Sequence, residues 1–185
     1  MLSLKKARIK ALLVDKENNS PVVLVEIEDT TKVIPIWIGA FEAWAMAMAI
    51  ENVEFPRPLT HDLLISCVEN LNGKFDRIVI HSIRDNTYFA SLYVIDNSGN
   101  QVIIDSRPSD AIVLSLKRDI PLYVTEEVIS ESGIDLTVDI PSENEEDRRF
   151  KDFVEKLDIE QLKEIMKHKE RKEDEPDIND LEDEE

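Results

Sequence analysis

"FDRIVIHSIRDNTYFASLYVIDNSGNQVIID", from Phe75 to Asp105, decides the fold class. It holds three runs rich in β-branched and aromatic residues, FDRIVIHSI, TYFASLYVI and QVIID. Residues of that kind fit a pleated, half-buried surface. The runs are separated by RDN and DNSGN, which are clusters of turn formers. Strands joined this closely in succession form a meander, so an antiparallel sheet is expected here.

Working outward, ARIKALLVD and PVVLVEIED read as two more antiparallel strands around the turn KENNS, and KVIPIWIG as another strand. Pro35 has no N–H to give to a ladder, so it belongs on an edge or at a bulge. GAFEAWAMAMAIEN, Gly39 to Asn52, is built of good helix formers and is apolar nearly all round apart from Glu42. Such a helix is buried on most sides or packs on a second subunit, and a homodimer is the expectation. A second helix is expected from Thr60 to about Leu71, capped by Thr60 with Asp62 in its first turn. On the other side of the meander, RPSDAIVLSLKRD returns to helix, with Lys117 and Arg118 near its negative end. PLYV fits a short strand, and TEEVISESG a short helix capped by Thr125 and ended by Gly133. The sum is an α+β domain, a mostly antiparallel sheet with packed helices, over residues 1–140.

Composition shifts near Pro141. Phe150, Phe153, Val154 and Leu157 then fall on one helical stripe, and Asp158 with Gln161 resembles a capping box. Residues 141–172 are read as a helical appendage. Residues 173–185 contain nine acids and no bases, and are expected to be a disordered acidic tail.

The whole chain of 185 residues has a net charge of -18. That argues against a broad electrostatic grip on nucleic acid, which wants clustered Lys and Arg, but it leaves room for a small basic cleft. Cys67 is alone, so no internal disulfide can form, and no apolar run is long enough for a bilayer. The N-terminal MLSLKKARIKALLVD lacks the long apolar core of a signal peptide. A cytoplasmic protein with no membrane partner is expected. There is no P-loop, GxGxxG, HExxH, CxxC or GxSxG, so no organic cofactor is expected.

Two stretches share a pattern. FPRPLTHDLL runs from Phe55 to Leu64, and DSRPSDAI from Asp105 to Ile112. Each has Arg-Pro, a hydroxyl residue, an aspartate and then apolar residues. A purely structural account explains much of this. The residue before Pro is held extended, Thr60 and Ser109 are N-cap types, and Asp62 and Asp110 suit first helical turns. It explains the arginines less well.

A functional account uses the same geometry. Helix N-termini offer free N–H groups to phosphate, and Arg57 and Arg107 are good bidentate phosphate ligands, supported by Thr60 and Ser109. Asp62, Asp105 and Asp110 are hard oxygen ligands for Mg²⁺ or Mn²⁺. His61 can move protons, and Glu42 is either dipole-stabilised near a helix start or faces a cleft. Together they suit phosphodiester cleavage, provided the two stretches converge in space.

Taken together, PIWIGAFEAWAMAMAIENVEFPRPLTHDLL, FASLYV and DSRPSDAIVLSLKRDIPLYV resemble the bifunctional nuclease family, along most of Met1 to about Glu131. The resemblance implies a domain that degrades both RNA and DNA. Related plant proteins are linked to defence signalling, and in some bacterial members a short helical interaction module follows the domain. The positions that match the family pattern are Glu42, Arg57, Pro58, Thr60, His61, Asp62, Asp105, Arg107, Pro108, Ser109 and Asp110. Two functions follow as expectations. One is a metal-assisted nuclease with nucleic acid as substrate. The other is a non-catalytic regulatory module that recognises an anionic ligand or a protein partner. If the acidic tail repels nucleic acid, removing residues 173–185 will raise oligonucleotide affinity at low salt. Unchanged affinity in a fluorescence titration would count against that role.

Overall fold

The computed structural model describes residues 3–15 and 19–135. The helical appendage and the acidic tail expected beyond Pro141 lie outside the described residues. The strands are β1 (Leu4–Val14), β2 (Pro21–Ile27), β3 (Lys32–Trp37), β4 (Lys74–Arg84), β5 (Thr87–Ile95), β6 (Gln101–Ser106), β7 (Leu122–Thr125) and β8 (Ile134–Asp135). The helices are α1 (Ala40–Ile50), α2 (Thr60–Asn70), α3 (Pro108–Arg118) and α4 (Glu126–Ser132).

The strands form one sheet in the order β6-β5-β4-β7-β1-β2-β3-β8. The meander β4-β5-β6 is antiparallel throughout, as its turn chemistry requires. Its first turn is Asp85-Asn86, both at positive φ (48° and 57°), the conformation that a two-residue hairpin favours. β1, β2 and β3 form a second antiparallel set. β7 joins the two sets. It runs antiparallel to β1, with Ala7 opposite Leu122, and parallel to β4, with Ile78 opposite Leu122. α3 supplies the crossover that a parallel pairing needs. Although β7 has only four residues, Leu122 and Val124 are buried at the centre of the sheet.

Pro35 sits where a missing N–H does least harm. It faces Leu24 on β2, while β8 reaches only Lys32 and Val33 on the other side of β3. α1 buries Ala43, Met46, Ala47, Met48 and Ala49, packing on α3 and β2 within one chain. Phe41 and Ile50 of the same helix stay exposed. α4 begins at Thr125 as expected, and its hydroxyl accepts from Val128 N at 3.5 Å.

Two caps differ from expectation. Leu59, not Thr60, is the N-cap of α2, and Arg107, not Ser109, is the N-cap of α3. In α3 the cause is Pro108. Its fixed φ suits the first helical position, and it holds Arg107 extended at φ −67°, ψ 142°. In α2 the cap side chain is a leucine and cannot accept a hydrogen bond. Asp62 compensates from the third helical position, where its Oδ2 accepts from Leu59 N at 3.0 Å.

The core lies between the helices and the sheet, with Ile78 and Ile80 of β4 and Ile112 and Leu114 of α3 almost wholly buried. Ile80→Ala should lower unfolding free energy by about 2–5 kcal/mol. Chemical denaturation will measure it, and a loss under about 1 kcal/mol would show that β4 is not central to this core.

Candidate active site at three helix starts

The first turns of α1, α2 and α3 meet. α1 contributes Glu42, α2 contributes His61, and α3 contributes Arg107 and Asp110. Arg107 donates from Nη1 to Glu42 Oε1 at 2.6 Å, from Nε to Asp110 Oδ2 at 2.7 Å and from Nη2 to Asp110 Oδ1 at 3.1 Å. His61 Nε2 lies 3.2 Å from Asp110 Oδ1. These residues line a cleft of about 520 Å³, along with Phe41, Trp44, Thr60 and Ser109. The two Arg-Pro stretches therefore do converge, through the His61–Asp110 contact.

A Cβ on Gly39 would stand 2.2 Å from Glu42 Oε2, so a larger residue there would push the end of that flexible side chain aside.

Electrostatics fixes the protonation states. Burial alone would raise the Asp110 carboxyl, but hydrogen bonds from Arg107 and then His61 outweigh it and hold the group below its ordinary value. The guanidinium of Arg107 is in turn held more firmly protonated, first by Asp110 and then by Glu42. With Asp110 ionised, its hydrogen bond with His61 requires the proton on Nε2, which leaves Nδ1 for proton transfer. Arg107 has five N–H donors, and three serve the carboxylates. The remaining two belong to a side chain that is 63% exposed, so a phosphate oxygen can reach them.

The other expected site residues lie elsewhere. Asp62 accepts from Lys117 Nζ at 2.8 Å and faces a second cleft of about 500 Å³ with Phe55, Pro56 and Arg118. Asp105 is exposed on β6 opposite Ser91 and lines neither cleft. Arg57 is exposed and also lines neither. The reason is register. Asp62 and Asp110 both occupy the third position of their helices, but Arg107 is three residues ahead of its aspartate and Arg57 is five. Only the shorter spacing lets an arginine fold back onto the aspartate.

Asp62, Asp105 and Asp110 therefore do not gather around a cation. Among the described residues no group of three or more His, Cys, Asp or Glu side chains could hold one. The carboxylates in the first cleft, Glu42 and Asp110, are already engaged by Arg107. This donor set does not fit a preformed Mg²⁺ or Mn²⁺ site.

A family model, the bifunctional nuclease domain, matches residues 22–137. The chain belongs to the bifunctional nuclease domain family. The matched segment includes every cleft residue named above and leaves out β1. An uncharacterized protein of Mycobacterium tuberculosis (strain CDC 1551 / Oshkosh) is 30% identical over 166 residues, covering 84% of this chain and 96% of the relative. Bifunctional nuclease 1 of Oryza sativa subsp. indica is 22% identical over 132 residues, and Bifunctional nuclease 1 of Arabidopsis thaliana is 25% identical over 117. Those matches cover 70% and 62% of this chain, but only 40% and 36% of the plant proteins.

Lys117 had no local signal, because it meets Asp62 across 55 positions of sequence. Phe41 and Trp44 belong to the nearly all-apolar helix, and both line the cleft. Trp44 Nε1 is buried with no acceptor among the described residues.

The Lys117–Asp62 pair predicts a pH effect. Burial works against ionisation of Asp62, but Lys117 and the Leu59 amide hold its pKa below the ordinary value. A depressed carboxylate adds stability above its unfolded pKa of about 3.9, and that stability is lost as pH falls through the folded value. Thermal melting from pH 6 down to pH 3 should show a smaller acid-induced loss in Lys117→Met than in the unmodified protein. Equal losses would assign acid sensitivity to other groups.

Proposed function

We propose that the chain is a nuclease that hydrolyses phosphodiester bonds in RNA and DNA, at the cleft where α1, α2 and α3 begin. The observation that carries this reading is the hydrogen-bonded series His61–Asp110–Arg107–Glu42, which assembles a proton carrier and a phosphate ligand side by side. Membership of the family supports it.

In this reading the two free N–H groups of Arg107 hold the phosphate and stabilise charge as it develops on the oxygens. His61 Nδ1 takes a proton from the attacking water as the new P–O bond forms, then returns it to the leaving oxygen as the old P–O bond breaks. Asp110 orients His61 by accepting a hydrogen bond from Nε2. Glu42 positions Arg107, and the Thr60 hydroxyl on the cleft wall is available to a phosphate oxygen. Arg57, Asp62 and Asp105 have no part in this chemistry, and no step runs through a metal.

One observation favours a second reading. The two carboxylates around Arg107 more than balance its charge, and the chain as a whole carries -18. On that reading the cleft recognises an anionic ligand or a protein partner without cutting.

Cleavage of RNA and of DNA, assayed with and without EDTA, separates the two. General acid–base groups contribute about 10²–10⁴-fold, so His61→Ala and Arg107→Gln should each lose at least about 100-fold. Asp105→Asn should retain full activity, and EDTA should have little effect. Binding without cleavage by the unmodified chain would select the second reading. Equal activity in all the variants would place the chemistry elsewhere.

A further inference from the structure

Phe41 lies in the first turn of α1, beside Glu42, and is 83% exposed. An aromatic ring left in water adds almost nothing to the core, so the fold does not explain it. Its location does suggest a use. Phe41 lines the same cleft as Arg107, His61 and Asp110, and its neighbour Glu42 touches Arg107 at 2.6 Å. The ring therefore borders the same cleft as the guanidinium of Arg107. The wall beside it is firm, because Trp44 packs against Phe55 with ring centroids 5.7 Å apart and planes tilted by 54°.

We infer that Phe41 is a stacking platform for an unpaired nucleobase, so that the cleft takes single-stranded rather than duplex nucleic acid. This rests on the nuclease reading of the same cleft. A volume of about 520 Å³ falls in the range of small-ligand pockets and accommodates a nucleotide unit. Within a duplex both faces of each base are already stacked, so only a splayed base presents a free face to Phe41. Stacking on an aromatic ring tolerates any base, since each has a π-face, and it makes no use of the ribose 2′-hydroxyl. A site of this kind accepts RNA and DNA alike. It also gains affinity without further positive charge, which suits a chain this acidic.

The test is binding at low salt by fluorescence anisotropy, with the full chain carrying His61→Ala so that the probe stays intact. The probes are a short oligodeoxyadenylate, an abasic oligomer of the same length and a blunt duplex. The single strand should bind more tightly than the abasic oligomer or the duplex, by roughly 5- to 150-fold over the abasic one if a single base stacks. Phe41→Ala should remove that advantage, and Phe41→Trp should keep it. Because Phe41 is exposed, neither substitution threatens the fold. Equal affinity for normal and abasic oligomers, or no effect of Phe41→Ala, would overturn the stacking site. If His61-dependent cleavage by the unmodified chain persists beside that result, the nuclease reading survives and only the stacking site falls. If the unmodified chain neither binds nor cuts, both fall together.

Discussion

Arg107 lends three N–H groups to Glu42 and Asp110, and this holds the first turns of α1 and α3 at a fixed spacing. Ion pairs this exposed contribute only about 0–1 kcal/mol each, so the arrangement does little for overall stability. Its effect is on geometry. The guanidinium is planar and its fork is rigid, so binding two carboxylates fixes where its remaining donors point. Asp110, held in this way, in turn fixes His61 through Oδ1. Removing Arg107 would leave Glu42 and Asp110 as neighbouring anions at two helix starts and would free His61 to rotate. The placement of His61, of the two carboxylates and of the free guanidinium donors all depends on this side chain.

Pro108 makes this placement possible. By starting α3 at once, it makes Arg107 the N-cap and puts Asp110 within reach. In the first stretch Leu59 intervenes between Pro58 and the helix, so Arg57 stays outside while Asp62 turns to Lys117. The two stretches look alike as text, but only one of them presents an arginine to the cleft.

The meander, the all-apolar helix, the edge position of Pro35 and the Thr125 cap were legible because they depend on local pattern and backbone chemistry. The central place of β7 was not, because pairing with both β1 and β4 is a long-range choice that four residues cannot announce. The candidate site was half legible. Polar residues at helix starts marked Glu42, His61, Arg107 and Asp110. Spacing alone did not separate Arg57 from Arg107, or Asp105 from Asp110. The overall charge also misleads about the domain. Residues 1–135 contain 13 basic and 20 acidic residues, whereas residues 136–185 contain nine and 20. Most of the excess acid thus lies beyond the described domain, so the net charge of the whole chain overstates that of the domain that carries the cleft.

The most direct test of the central claim is a titration of the ¹⁵N-labelled chain with a dinucleoside monophosphate, followed by amide chemical shifts. Convergence of the three helix starts predicts that amides of residues 40–43, 60–62 and 108–110 shift together with one dissociation constant. Shifts centred on Arg57 and Asp105, with those amides unmoved, would contradict it.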